Sequence, residues 1–224
     1  MPTSNRIEFQ AVARPVAAPV TKFGGQPVWL DRPVLPTSRI TGQPMTFIAQ
    51  IRIPSTWCAG SDIRLAYVFM TGAGFDDLAT ETWDPNGGET AVIVQSGRTG
   101  SAGKAASDYP NVLQRSQWKG EVRTSIPCEY TVAETPDAEP DHVAQDELSE
   151  LDADSQDALT AAWRGNKIGG SPDWVQSEEF PFNPWHLLLQ LEDSSYPFDW
   201  NLGTGVGYVF LNEDCTDGAV LWQC

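Results

Sequence analysis

The chain has 224 residues and a formal charge of −16, from 30 acidic against 14 basic side chains, with 41% hydrophobic and 10% aromatic content. This is enough apolar material for one sizeable core, and no apolar run approaches the ~20 residues of a membrane-spanning helix. A field of this sign repels nucleic-acid phosphates and anionic lipid and attracts basic partners, over about 8 Å at physiological salt. The stretch MPTSNRIEFQAVARPV has no apolar run behind a basic start and is not a secretory signal, so cytoplasmic residence is the expectation.

An extended, Pro-rich lead comes first. PMTFIAQIRI then alternates, with Met45, Phe47, Ala49, Ile51 and Ile53 on one side and Thr46, Ile48, Gln50 and Arg52 on the other, which predicts a strand. DIRLAYVFM predicts the next strand, and the turn Asp84–Gly88 launches TAVIVQ as a further one. Gly97 to Gly120 loosens into Gly, Ser, Asn and Gln and reads as loop, followed by the strand-like EVRTSIPCEYTV. Between Asp141 and Arg164 the apolar residues Ala144, Leu148, Leu151, Ala158, Leu159, Ala162 and Trp163 recur at near-helical spacing. They predict one amphipathic helix or two short ones, started by Pro140 and Asp141 and stopped by Gly165. Three strands end the chain: WHLLLQLE, VGYVFL and, after a turn at Asp217-Gly218, AVLWQ.

The chain says nearly the same thing twice. KFGGQPVWL (22–30) returns as KIGGSPDWV (167–175), FIAQI around Gln50 as LLLQL around Gln190, AYVFM around Phe69 as GYVFL around Phe210, and IVQ ending at Gln95 as LWQ ending at Gln223. Such self-similarity in constant order argues an internal duplication. The expected architecture is one α+β domain of mainly antiparallel sheet: a half-repeat over 21–95, a helical acidic insertion over 96–165, and a second half-repeat over 166–224.

The repeated residues suggest two kinds of role. Adjacent glycines followed by Pro fix a sharp turn, and the Trp two places on serves as a core anchor. Alternatively, the missing Cβ atoms of Gly25 and Gly170 admit a partner's backbone. Gln50 and Gln190 interrupt apolar runs, and a buried amide must be satisfied. Each either bonds a neighbouring backbone or, flanked by Arg52 and Glu192 respectively, lines a shared groove that reads a peptide.

Glu129 to Asp157 holds eleven carboxylates and no Lys or Arg, and reads either as a solvated face or as an electrostatic docking surface. Other chemistry is weakly signalled. Cys58, Cys128, Cys215 and Cys224 lack paired spacing, which reads as free thiols with a Cys215–Cys224 bridge as the alternative. His142 and His186 fit no metal-ligand spacing. The stretch Gly97–Ala105 misses the phosphate-loop spacing, Gly203–Gly207 misses the dinucleotide fingerprint, and Asp214–Gly218 misses a calcium loop. No metal, cofactor or catalytic set is expected.

KFGGQPVWL, LPTSRITGQPMTFIAQI, WDPNGGETAVIVQ, NKIGGSPDW, HLLLQL, GYVFL and VLWQ together resemble the YwqG family of bacterial proteins, a domain of unknown function, over most of residues 21 to 223. The Gly-Gly-x-Pro-x-Trp and Pro-Met-x-Phe-x-x-Gln elements are similar, more distantly, to the eukaryotic programmed-cell-death-protein-2 family, whose members escort a newly made ribosomal protein. That likeness implies a protein-binding, chaperone-like role. The cysteine pairs some of those relatives carry near the Pro-Met element are absent from Thr37 to Gln43, so no zinc is implied. The expected function is an intracellular protein- or peptide-binding module favouring a basic partner. Alternatives are a hydrolase-type enzyme using groove carboxylates and an acidic toxin-neutralising partner.

Overall fold

A computed structural model describes residues 3–58, 62–72, 81–97, 104–105, 108–193 and 195–224. Ten strands form one closed barrel: β1 (Thr3–Ala11), β2 (Lys22–Gly24), β4 (Thr46–Arg52), β5 (Ile63–Met70), β6 (Thr90–Gly97), β10 (Glu129–Ala138), β11 (Lys167–Gly169), β12 (Trp185–Glu192), β13 (Val206–Asn212) and β14 (Gly218–Gln223). Round the barrel the order is β1-β10-β2-β4-β5-β6-β14-β13-β12-β11, with β11 returning to β1 and each neighbouring pair antiparallel. Outside it lie the hairpin β8 (Gln114–Lys119) with β9 (Val122–Pro127), the pair β3 (Val28–Trp29) with β7 (Lys104–Ala105), and two helices, α1 (Gln145–Ser149) and α2 (Ala153–Trp163).

Side-chain alternation explains why the central strands read as almost continuously apolar. One cluster draws on all ten barrel strands, among them Ile7, Phe23, Ala66, Val68, Val92, Leu191 and Val220, and fills the barrel. The opposite faces of β5 and β13 carry Leu65, Tyr67 and Phe69 in one outer cluster and Val206, Tyr208 and Phe210 in another. The outer clusters pack on Trp29 and Trp174 respectively. Both faces of these strands are therefore dry.

The strict alternation expected along β4 is broken. A bulge between Phe47 and Ala49 sends Phe47 to an outer cluster, while Ile48, Ala49 and Ile51 all face the barrel interior. β12 is bulged at the matching place, between Leu187 and Leu189. One extra residue flips the register of everything after it.

Hydrogen bonds match between the repeated segments. Gln50 Oε1 accepts from Val28 N at 2.8 Å and Gln190 Oε1 from Asp173 N at 2.8 Å. Gln50 Nε2 donates to Val20 O and Ala18 O, and Gln190 Nε2 to Gly165 O and Trp163 O. Tyr67 Oη donates to Val28 O and Tyr208 Oη to Asp173 O. Gln95 Oε1 accepts from Asp31 N and Gln223 Oε1 from Gln176 N.

Other expectations need correcting. The lead is not merely extended, because β1 pairs with β10 along nine residues and also with β11, closing the barrel. The acidic stretch is not all helical: its first third is the barrel strand β10. Pro140 and Asp141 do not start a helix; α1 begins at Gln145 without a side-chain cap, and α2 begins behind Asp152, whose carboxylate accepts from Ser155 N. Neither helix is strongly amphipathic, since Trp163 is the one fully buried residue on them. β8 lies where loop was expected, and most of Gly97–Ala105 falls outside the described residues. No helix among the described residues is long and apolar enough to cross a membrane.

Candidate functional site

The six residues singled out from the sequence fall into three situations. Gln50 and Gln190 are wholly buried, and each amide bonds the backbone of its own neighbouring loop, as given above. Gly25 and Gly170 have positive φ, 62° and 83°. What lies over them is the chain's own Glu129 and Glu139 carboxylates, where a Cβ would collide. Arg52 is exposed, whereas Glu192 accepts from Gly165 N at 2.6 Å.

Those two carboxylates complete a clasp in each repeat. Lys22 Nζ, with 1% exposure, lies 2.6 Å from Glu129 Oε1 and donates to Gln26 O at 2.7 Å. Lys167 Nζ, with none, lies 2.9 Å from Glu139 Oε2 and donates to Ser171 O at 2.5 Å. Burial pushes Lys167 down to about 8 against the pull of Glu139, and lowers Lys22 in the same way. Both glutamates belong to the acidic segment, one at each end of β10, and Glu134 and Asp137 between them accept from Asn5 and Arg6 of β1. This half of the segment is internal wiring.

The remainder forms a wall. α1, α2 and the second Gly-Gly-x-Pro-x-Trp turn border a solvent-open cleft of about 360 Å³, lined among others by His142, Leu148, Trp163, Asp173, Trp174 and Glu178. None of its lining side chains is Lys or Arg. Burial pushes Asp173 up to about 6, partly offset by Arg164, whose Nε lies 3.6 Å from Asp173 Oδ2 while its side chain stays 65% exposed. His142 Nε2 lies 3.1 Å from Glu178 Oε1, and both ring nitrogens are shut off from solvent. Burial lowers the His142 pKa below its ordinary value, with Glu178 opposing. The His142 ring sits among Trp163, Phe180 and Trp185 at centroid distances of 5.3 to 5.8 Å.

The matching place in the first repeat is closed over its Trp among the described residues. Trp29 is fully buried in a cluster with Met45, Phe47 and Tyr109, and Val28 stands where Asp173 does. The Val-to-Asp difference was the visible signal in the sequence: a charge at a position that its counterpart keeps apolar. His142, Trp163 and Glu178 carry no comparable signal, because distant segments deliver them. A second hollow is lined by Ile53, Cys58, Asp62, Arg64 and Ser96 among others. All four cysteines are free, including Cys215 and Cys224, the alternative bridge. Among the described residues no group of three or more His, Cys, Asp or Glu is placed to hold a metal ion. His186 stacks on Trp57 at 4.7 Å. Comparison with known family models and with curated proteins gives no match for this chain, so the site is read from its own residues.

Proposed function

We propose that the protein is a non-enzymatic, intracellular binding module that holds a basic or extended protein segment in a chaperone-like manner. One observation carries this reading. After the inner carboxylates have met their partners, Asp146, Glu147, Glu150, Asp154 and Asp157 remain exposed on or beside α1 and α2, which carry no basic residue, next to a cleft with no cationic lining. Exposed acidic surfaces of this kind attract cations and steer their approach. Descent from a duplicated half is supported by the strand order, which reads the same from either end once β1 is matched with β10 and β2 with β11. The matched glutamine, tyrosine and lysine bonds support it too, and kinship with the YwqG family rests on the motif likeness alone. Four free thiols fit a reducing cytoplasm.

The test is association with a basic client protein captured from the source cell. Neutralising Asp146, Glu147, Glu150, Asp154 and Asp157 as Asn or Gln is expected to slow association about tenfold at low salt and flatten its salt dependence. Asp152 is spared because it caps α2. An unchanged rate across salt would reduce the helical wall to a solvated face. The second reading, a carboxylate hydrolase, is favoured by Asp173, a carboxyl near pH 6 beside Glu178 in an open cleft. Turnover of a peptide or ester substrate that disappears in Asp173→Asn would establish it over the first.

A further inference from the structure

We propose that the cleft at Asp173 receives an arginine side chain of the basic partner, the guanidinium paired with Asp173 and flanked by Glu178, its plane against the Trp163 or Trp174 indole. This rests on the binding-module reading and assigns its specificity to one place. Asp173 is a carboxylate with 13% side-chain exposure, and the nearest cation to it is the mostly solvated Arg164 at 3.6 Å. Such a charge is costly unless a cation is brought against it. The chain already offers a guanidinium there, loosely, from the C-cap of α2. That marks the chemistry the carboxylate accepts without filling the cleft.

The walls select further. Planar guanidinium stacks on indole faces and pairs with carboxylate through two parallel N–H donors, neither of which a lysine ammonium does as well. His142, its ring held by aromatic neighbours and its pKa held down by burial, leaves the floor uncharged beside the incoming cation. The indole nitrogens of Trp174 and Trp29 are both unpartnered and both shut off from solvent, so an unpaired indole is not the signal; the open cleft and the charge are.

The experiment is calorimetric titration of the full chain with a synthetic basic peptide carrying one central arginine, and with the same peptide carrying citrulline or lysine there. Citrulline in the peptide and Asp173→Asn in the protein are each expected to weaken binding about tenfold, with no further loss when combined. Glu178→Gln is expected to weaken it less. Arg164→Ala, which removes the competing guanidinium while its backbone carbonyl still accepts from Arg6, is expected to tighten it. Equal affinity of wild type and Asp173→Asn for the arginine peptide, or of the arginine and citrulline peptides for wild type, would overturn the assignment. If binding then still falls when the α1 and α2 carboxylates are neutralised, the binding-module reading stands without the cleft. If no basic peptide binds any variant, the cleft is overturned, and the captured client alone decides the wider reading. A lysine peptide bound as tightly as the arginine one would overturn the guanidinium preference.

Discussion

A lysine with no exposed surface is tolerable only where its charge is met on the spot, and Lys22 and Lys167 are met by glutamates 107 and 28 positions away. Removing one partner strands the other, so Lys22→Met is expected to destabilise by about 3–5 kcal/mol, and Lys22→Met with Glu129→Gln by much less. Urea melts of the two variants check this; equal losses would mean that the ammonium matters for its packing alone. Asp173 has the opposite logic. Its carboxyl is raised from 3.8 to about 6, by burial first and by Glu192 among its charged neighbours, with Arg164 and Lys167 opposing. The folded state therefore binds the extra proton between those values, and stability from this group rises as pH falls from about 6 towards 3.8. Asp173→Asn is expected to be more stable than wild type at pH 7, by about 1–2 kcal/mol, and to lose that advantage by pH 4. A constant difference across that range would remove Asp173 as its source. The two lysines opened each repeated nonapeptide and were plain in the sequence. Their partners were not, because Glu129 opens β10 and Glu139 directly follows it, and the acidic residues of this stretch look alike until the barrel separates its two ends.

At the scale of elements, strands whose two faces are both apolar were legible. HLLLQL, RLAYVF and GYVFL fall within β12, β5 and β13. β1 was not, because its polar residues Asn5 and Arg6 meet partners on β10 and α2 that only tertiary structure supplies. The bulges escaped as well: an inserted residue leaves no mark on an all-apolar run such as Phe47 to Ala49. The two Trp-bearing turns show how one motif serves different surroundings. Trp29 stacks on Phe69 at 6.1 Å inside a closed cluster, while Trp174 makes the same stack on Phe210 at 5.7 Å and also walls an open cleft. Trp29→Ala is expected to cost about 3–5 kcal/mol and Trp174→Ala roughly half of that. Equal losses in denaturant melts would mean that the cleft side of Trp174 is as tightly packed as the sealed side of Trp29. On α2, Asp152→Ala removes the cap to Ser155 N and is expected to lower the thermal midpoint.

For the whole molecule the deciding feature is closure. β1, which precedes the first repeated stretch, pairs with β11 in the second, while β10, which precedes the second stretch, pairs with β2 in the first. The two stretches are thus interlocked through one closed sheet, and a division at residue 96 or 165 cuts through it. An antiparallel sheet with two free edges offers unpaired N–H and C=O groups to other chains, and closing it removes them. Deleting residues 1–11 uncovers the β10 edge along nine positions and the β11 edge along three, and it takes Ile7 out of the filled interior. The truncated chain is expected to self-associate on size exclusion and to lose amide-exchange protection in β10 and β11 first. Adding a synthetic peptide of residues 3–11 is expected to return the elution position and the protection of the full chain, since the vacated place fits that strand and its register is fixed by Arg6 on Asp137 and Asn5 on Glu134. A truncated chain that stays monomeric and fully protected would show that the nine remaining strands close without β1, and that interlocking contributes little to the fold.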